Sequence, residues 1–139
     1  MRRNIILLII ILSILISGCI ENPFRQVPII KINMTFIEKD GIAEVVNYDI
    51  TQESVSFLAR PVREHAPFPA ISARAMIVKG KNSSIGPWEM LPYSGPGTYT
   101  LNVSFEKNPL VNDSIHISVY VLDKDGERMG AFKDNIVWR

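Results

Sequence analysis

The sequence predicts an all-β protein, an antiparallel β-sandwich of seven to eight strands. Three observations indicate this class. Apolar and polar residues alternate along most segments after residue 28, which is typical of strands with one face on a core and the other in water. Turn signals rich in Gly, Pro and Asp recur at a spacing of about 8–12 residues, as in sandwiches. No segment after residue 28 has the spacing of an amphipathic helix.

Period-two alternation predicts the first strands. A first strand carries the apolar residues Ile30, Ile32, Met34 and Phe36. Asp40-Gly41 then marks a turn, and a second strand follows over residues 42–50. Its predicted inward residues are Val46, Tyr48 and Ile50. Val55 and Phe57 suggest a short third strand, and three prolines within residues 59–70 predict a long loop or an irregular edge.

The second half of the chain carries the clearer strands. They are predicted over residues 71–79, 88–91, 99–105, 115–121 and 129–138. Residues 92–97 read Pro-Tyr-Ser-Gly-Pro-Gly, which is a turn cluster. Asp125-Gly126 predicts a hairpin with a type I′ turn.

The N-terminus has the layout of a secretory signal peptide. Arg2 and Arg3 form a short positive region, and residues 5–16 are an apolar run of about 12 residues, the length of a signal-peptide core. A membrane-spanning helix needs about 20 apolar residues. Residues 1–18 are therefore predicted to be a hydrophobic signal helix that is removed on export.

Leu15-Ile16-Ser17-Gly18-Cys19 resembles the lipobox of prokaryotic lipoproteins. The resemblance implies cleavage before Cys19 and a diacylglyceryl-type lipid on its thiol, and two long chains anchor a protein stably. Residues 19–28 are then the lipidated cysteine and a short tether. Residues 29–139 form the β-sandwich domain, on the extracytoplasmic side of the cell membrane. The alternative is an uncleaved apolar anchor in which Cys19 is incidental.

Residues 95–103, Gly-Pro-Gly-Thr-Tyr-Thr-Leu-Asn-Val, resemble the approach to a late strand in immunoglobulin-like and fibronectin-type sandwiches. In those domains an early tyrosine bonds through its hydroxyl to nearby backbone, and Tyr99 is the matching residue. The resemblance implies an immunoglobulin-like β-sandwich. An antibody-type domain is excluded because the Cys–Trp–Cys pattern is absent, while a small barrel and a jelly roll stay open as alternatives.

Charge and cysteine content exclude several functions. The net charge of the chain is +1, and removal of residues 1–18 takes away two arginines and no acid, which leaves −1. Such a neutral domain lacks the basic footprint of a nucleic-acid-binding protein. Cys19 is the only cysteine, so the domain has no internal disulfide and, once Cys19 is lipidated, no free thiol.

Few residues are candidates for chemistry. His65 lies beside Glu64 in the proline-rich segment and His116 lies on the polar face of a strand, but neither has a recognisable set of metal ligands around it. Residues 123–126 lack the third acid and the closing glutamate of a calcium loop. No serine lies in a nucleophile-elbow motif. We therefore predict no catalytic residue, no metal and no cofactor.

Glycosylation and partner contacts provide the remaining candidate residues. Four asparagines lie in Asn-X-Ser/Thr sequons: Asn82 and Asn112 in predicted loops, then Asn102 and Asn33 on strands. Exposed loop aromatics stack on sugars or anchor a protein partner. The candidate partner contacts are Arg60, Arg63, Phe68, Trp88 and Tyr93. For Trp88 the alternative is a side chain folded back over the end of the core.

By elimination, the sequence indicates a lipid-anchored cell-surface binding or interaction module without catalytic activity. Its expected partners are the membrane, through the lipid on Cys19, and an envelope protein or glycan. One alternative is an accessory lipoprotein subunit of a membrane complex, which a large exposed apolar patch would favour. Another is an enzyme or metal carrier whose site, containing His65 or His116, assembles only in the fold.

Overall fold

The computed structural model describes residues 26–56, 67–79 and 83–139, and these ranges contain eight strands and no helix. The predicted all-β class is confirmed. The strands are β1 (Val27–Lys39), β2 (Ile42–Val55), β3 (Ala70–Lys79), β4 (Ser84–Ile85), β5 (Glu89–Pro92), β6 (Gly97–Ser104), β7 (Ser114–Leu122) and β8 (Arg128–Val137). In these ranges nothing forms a helix that could span a membrane. The predicted signal peptide and residues 19–25 lie outside them.

The strands form two antiparallel sheets in a β-sandwich-like arrangement. The smaller sheet has the order β2-β1-β6, and the larger has the order β4-β3-β7-β8, with β5 also paired to β3. Both sheets contribute to one buried cluster, which includes Ile32 and Leu101 from the smaller sheet and Ile117 from the larger. The short β4, which the sequence pattern did not predict, and β5 share one edge of the larger sheet.

The core follows from the alternation in the sequence. The predicted inward residues of β1 are all buried: Ile30, Ile32, Met34 and Phe36. In β7, Ile115, Ile117, Val119 and Val121 are buried in the same way. Each such side chain contributes about 1.5–3 kcal/mol through removal from water, which is the main force that holds the two sheets together.

A β-bulge at Val46 corrects the predicted face for the first part of β2, whereas Ile50, beyond the bulge, packs against the core as predicted. Asn47 pairs with Thr35 and Val45 pairs with Phe36, so Val46 has no partner across the ladder. The extra residue reverses the alternation, because successive side chains of a strand point to opposite faces. Val45 therefore packs against the core, whereas Val46, predicted inward, is exposed. Val55 is the last residue of β2 and not part of a separate strand.

The two hairpin turns differ. Asp40 and Gly41 both have positive φ, 54° and 78°, as a two-residue type I′ turn requires. At the predicted Asp125-Gly126 turn, only Gly126 has a positive φ, and its N–H donates to the Asp123 carbonyl. This is a type I turn followed by a left-handed glycine, not the predicted type I′ turn. The Asp123 carboxylate stabilises it by accepting from the N–H groups of Asp125 and Glu127.

The sheets are joined where the edges of β2 and β8 meet. The Gln52 side chain donates to the Val137 carbonyl at 2.8 Å and accepts from the Arg139 N–H at 2.9 Å. Gly130 lies against the backbone of Ala43 so closely that any Cβ would collide with it. These contacts place the C-terminal ends of β2 and β8 at the same end of the sandwich.

Candidate functional site

The outer face of the larger sheet carries a cluster of aromatic and basic side chains. Arg74 on β3 and Tyr120 on β7 point outward because their chain neighbours Ala73, Ala75, Val119 and Val121 are buried. Arg128 and Lys133 extend the cluster along β8. Trp88, just before β5, lies beside Tyr120. We call these five residues the aromatic–basic face: Arg74, Trp88, Tyr120, Arg128 and Lys133.

Short contacts between rings and cations order this face. The Trp88 and Tyr120 ring centroids are 5.7 Å apart. The Arg74 guanidinium carbon lies 4.3 Å from the Trp88 centroid, and that of Arg128 lies 3.9 Å from the Tyr120 centroid. Each cation–π contact contributes about 0.5–1 kcal/mol at an exposed site. The side chains are therefore held in position, while 42% of Trp88 stays exposed to solvent.

The charge of this face has one sign. Its three cations, Arg74, Arg128 and Lys133, lie at outward positions of β3 and β8. Among the described residues of these strands, no outward position carries Asp or Glu. In addition, the Arg74 Nε is buried and has no hydrogen-bond partner among the described residues. The face thus offers positive charge, which favours an anionic ligand.

A groove of about 500 Å³ lies at the end of the sandwich that holds the β1–β2 turn. The Tyr93 hydroxyl on its wall donates to Glu38 Oε1 at 2.7 Å. Burial and the Glu38 carboxylate raise the pKa of Tyr93, so the phenol stays protonated at neutral pH. Asp123, also on the wall, uses its carboxylate to hold the β7–β8 turn. The acids of this groove are therefore engaged in the chain's own hydrogen bonds.

The hydrogen bond predicted for Tyr99 is present. Its hydroxyl donates to the Gly95 carbonyl at 2.6 Å and accepts from the Ser94 N–H at 3.0 Å. The ring packs edge-on against Phe36, with centroids 5.9 Å apart. Tyr99 thus fastens the turn before β6 to the core and is a structural residue.

The predicted partner contacts fall in different environments. Phe68 is 48% exposed, and its ring rests on Gly126 at the end that holds the groove. Trp88 lies on the outer face of the larger sheet, not over the end of the core. Tyr93 is only 6% exposed and packs against Phe36, so it is a core residue with one polar tip. Arg60 and Arg63 lie outside the described residues.

Only one of the two histidines can be placed. The His116 Nδ1 lies 2.7 Å from Asn135 Oδ1 on the neighbouring strand, and the pair forms part of the outer face of the larger sheet. His65 lies outside the described residues. Over residues 26–56, 67–79 and 83–139, no three His, Cys, Asp or Glu side chains come close enough to hold a metal ion.

Three sequons can be placed. Asn102 is exposed on the outer face of the smaller sheet, and Asn33 on the same face is half-buried, with its Oδ1 accepting from the Thr100 hydroxyl. Asn112 is exposed in the turn before β7 and has a positive φ of 74°. Asn82 lies outside the described residues.

Sequence reasoning missed most of the aromatic–basic face. Of its five residues only Trp88 was a candidate, because Arg74, Tyr120, Arg128 and Lys133 lie on three different strands. Their common signal is that each occupies an outward position of an alternating strand. The order of the strands, which brings them together, cannot be read from that signal.

Comparison with known proteins finds no relative: no protein-family model, no curated protein and no solved structure matches this chain.

Proposed function

We propose that this protein is a lipid-anchored, non-catalytic binding module of the cell envelope, and that its aromatic–basic face binds an anionic glycan. One observation carries the proposal. Trp88 and Tyr120 lie side by side among three cations, on a sheet face whose described strands have no outward carboxylate.

The chemistry of an acidic sugar polymer fits this arrangement. The apolar C–H face of a sugar ring packs on an exposed indole such as that of Trp88. The guanidinium groups of Arg74 and Arg128 can each donate two parallel hydrogen bonds to a carboxylate, sulfate or phosphate group. A neutral glycan would use only the first of these interactions.

The membrane anchor of the proposal is supported by the sequence. The lipobox-like residues 15–19 place the lipid on Cys19, eight residues before β1 begins at Val27. Eight residues span at most about 28 Å whatever their conformation. The domain would therefore stay near the outer surface of the membrane, within reach of polymers that lie against it.

We also propose that the fold is an immunoglobulin-like sandwich with a rearranged first sheet. The Tyr99 hydroxyl bonded to nearby backbone supports the relationship. The order of the smaller sheet differs, because immunoglobulin sandwiches begin with an edge strand, whereas β1 lies between β2 and β6. In this proposal β2 takes the edge position that the first strand has in those domains.

Binding to a chemically matched pair of polymers tests the glycan proposal. The detergent-solubilised full-length protein is titrated with polygalacturonate and with the same polymer after methyl esterification, which removes the charge but keeps the sugar. We expect saturable binding to the first and at least ten-fold weaker binding to the second. Trp88→Ala should weaken binding to the acidic polymer up to about ten-fold, because ring contacts contribute roughly 0.5–1.5 kcal/mol and about 1.4 kcal/mol corresponds to a factor of ten.

The control variant for Trp88→Ala is Thr98→Ala on the outer face of the smaller sheet. It should bind like the wild type. Equal affinity for the two polymers, or equal losses in the two variants, would refute the proposal. Recovery of one stoichiometric membrane protein from cells, with no glycan, would instead indicate an accessory subunit.

The mass of the mature N-terminus tests the anchor separately. Intact-protein mass spectrometry should find a chain that begins at Cys19 with two acyl or alkyl chains attached. Cys19→Ser should release the protein from the membrane fraction, because it removes the lipidated thiol. A mature chain that retains residues 1–18 would show that the apolar anchor is not cleaved.

A further inference from the structure

One end of the sandwich holds both the start of β1 and the loop between β6 and β7. Ile29, near the start of β1, pairs with Ser104, the last residue of β6. Trp138, just after β8, packs edge-on against Phe105, with centroids 5.4 Å apart. We call this the proximal end, because a chain anchored at Cys19 enters the domain here. A 13-residue strand such as β1 is about 40 Å long, so the groove at the other end lies far away.

The loop at the proximal end presents two neighbouring apolar side chains to solvent. Leu110 is 50% exposed and Val111 is 70% exposed. We call this pair the apolar tip. Val111 is the most exposed large apolar residue among the described parts of the chain, and no core contact accounts for its presence.

The apolar tip is held by a rigid turn. The buried carboxylate of Asp113 accepts from the Leu110 N–H at 2.8 Å, and the Asp113 N–H donates to the Leu110 carbonyl. The Asn112 N–H donates to the Trp138 carbonyl, and the Trp138 N–H donates to the Asp113 carbonyl at 2.9 Å. A turn tied to the C-terminal strand by these bonds keeps both apolar side chains outside, so little conformational entropy is lost when they are buried by a partner.

We infer that the apolar tip inserts into the interfacial layer of the membrane to which the protein is anchored. This inference rests on the proposed lipid at Cys19, which keeps the proximal end within about 28 Å of the bilayer surface. At that range insertion is effectively an intramolecular step, so the small apolar area of two side chains is enough to hold the end down. The aromatic–basic face then stands upright beside the membrane, accessible to a polymer in the envelope.

A fluorescence experiment on the full-length lipidated protein tests the apolar tip. Val111→Cys is labelled with an environment-sensitive nitrobenzoxadiazole dye and reconstituted into vesicles of phosphatidylcholine with a minority of phosphatidylglycerol. Only the introduced thiol reacts, because the lipid blocks the thiol of Cys19, the single native cysteine. The matched control is Lys124→Cys in the exposed turn at the opposite end.

We expect the dye at position 111 to shift its emission to the blue and to be quenched at least two-fold by lipids that carry a nitroxide near the headgroup. The dye at position 124 should show neither effect. The protein's mass first shows whether the lipid is present. If it is, equal quenching at both positions, or quenching at neither, would refute insertion of the apolar tip but not the lipid anchor. A mass without lipid on Cys19 would overturn the anchor and the apolar tip together. A glycan found on Asn112 would also overturn the insertion, because it would keep the neighbouring tip in water.

Discussion

The two outer faces of the sandwich are built from different chemistry. On the smaller sheet, threonine and asparagine side chains hydrogen-bond to one another across the strands: Thr35 to Thr98 at 2.9 Å, and Thr100 to Asn33 at 2.5 Å. On the larger sheet, rings and cations take the corresponding positions, with Arg74 against Trp88 and Arg128 against Tyr120. Polar side chains of the first face thus bond to one another, whereas the second face presents positive charge to a partner.

The outer faces of the two sheets also differ in charge. The outward positions of the smaller sheet include three acids and two lysines: Glu44, Asp49, Glu53, Lys31 and Lys39. The aromatic–basic face has three cations, and no carboxylate is among the described outward positions of its strands. A near-neutral chain can thus present one attractive face to an anion, because the charges are separated by sheet. The net charge alone hides this separation.

Charge reversal on the aromatic–basic face should have the largest effect. The double variant Arg74→Glu, Arg128→Glu replaces two attractions with two repulsions, and we expect a loss of about 100-fold or more in affinity for polygalacturonate. Isothermal titration calorimetry measures the affinity of the double variant and of the wild type for this polymer.

The matched control reverses two cations on the other face. Lys31→Glu, Lys39→Glu has the same change in net charge, so it should keep most of the wild-type affinity if the location of the charge matters. Equal losses in the two double variants would show that net charge, not the face, controls binding.

Salt should have the next largest effect. Exposed charges are screened over about 8 Å at physiological ionic strength and about 30 Å at 0.01 M salt. We therefore expect the wild-type affinity for the acidic polymer to fall several-fold when the salt is raised from 0.01 M to physiological ionic strength. The same titration measures this change. The residual binding of the charge-reversed variant should show little or opposite dependence on salt. A salt-independent wild type would exclude a role for the three cations.

Tyr99→Phe should separate stability from binding. The change removes the hydroxyl that bonds to Gly95 and Ser94, so the free energy of unfolding should fall by about 1–2 kcal/mol. Urea denaturation measures this loss. Affinity for the acidic polymer should stay within two-fold of the wild type, since Tyr99 is on the smaller sheet. A matched loss of binding would mean that the aromatic–basic face depends on the whole fold, not on its own residues.

Glu89→Gln, at the junction of the two sheets, should have the smallest effect. Burial raises the pKa of Glu89 above its ordinary value, although the Ser104 hydroxyl donates to its carboxylate at 3.2 Å. A raised pKa means that ionisation costs folding free energy, so the group favours the fold at low pH and loses this contribution as pH rises through the folded-state pKa. Thermal denaturation should find the variant about 1–3 °C more stable at neutral pH, with solvent screening keeping the gain small. The gain should vanish near pH 4, and a gain that persists there would refute the ionisation argument.

Much of the fold follows from the sequence because period-two alternation is a local property. The structure confirms the buried residues of β1 and β7, which were predicted from this alternation, and the turn predicted from Asp40-Gly41. The bulge at Val46 is not predictable this way, since the pattern on each side of it still alternates and only the cross-strand register reveals the extra residue. Tyr93 shows the same limit: it lies in a turn-rich segment, but contacts with Phe36 and Tyr99 bury it.

The candidate site was less predictable than the fold for a physical reason. Arg74 and Arg128 are more than fifty residues apart in the chain and meet only because β7 lies between β3 and β8. Trp88 could be singled out as a loop aromatic, but its neighbours depend on strand order. The Tyr99 hydrogen bond, in contrast, joins residues four apart, and a local motif was enough to predict it.

Photo-crosslinking in intact cells tests the central claim most directly, because it compares the two faces in the native envelope. Benzoylphenylalanine is placed at position 131, beside Tyr120 on the larger sheet, in one strain and at position 98 in another, and the illuminated cells are analysed by gel shift, glycan staining and mass spectrometry. We predict a glycan-bearing adduct from position 131 that is absent from position 98. Adducts of equal intensity at both positions, or adducts at position 98 alone, would contradict the assignment of binding to the aromatic–basic face.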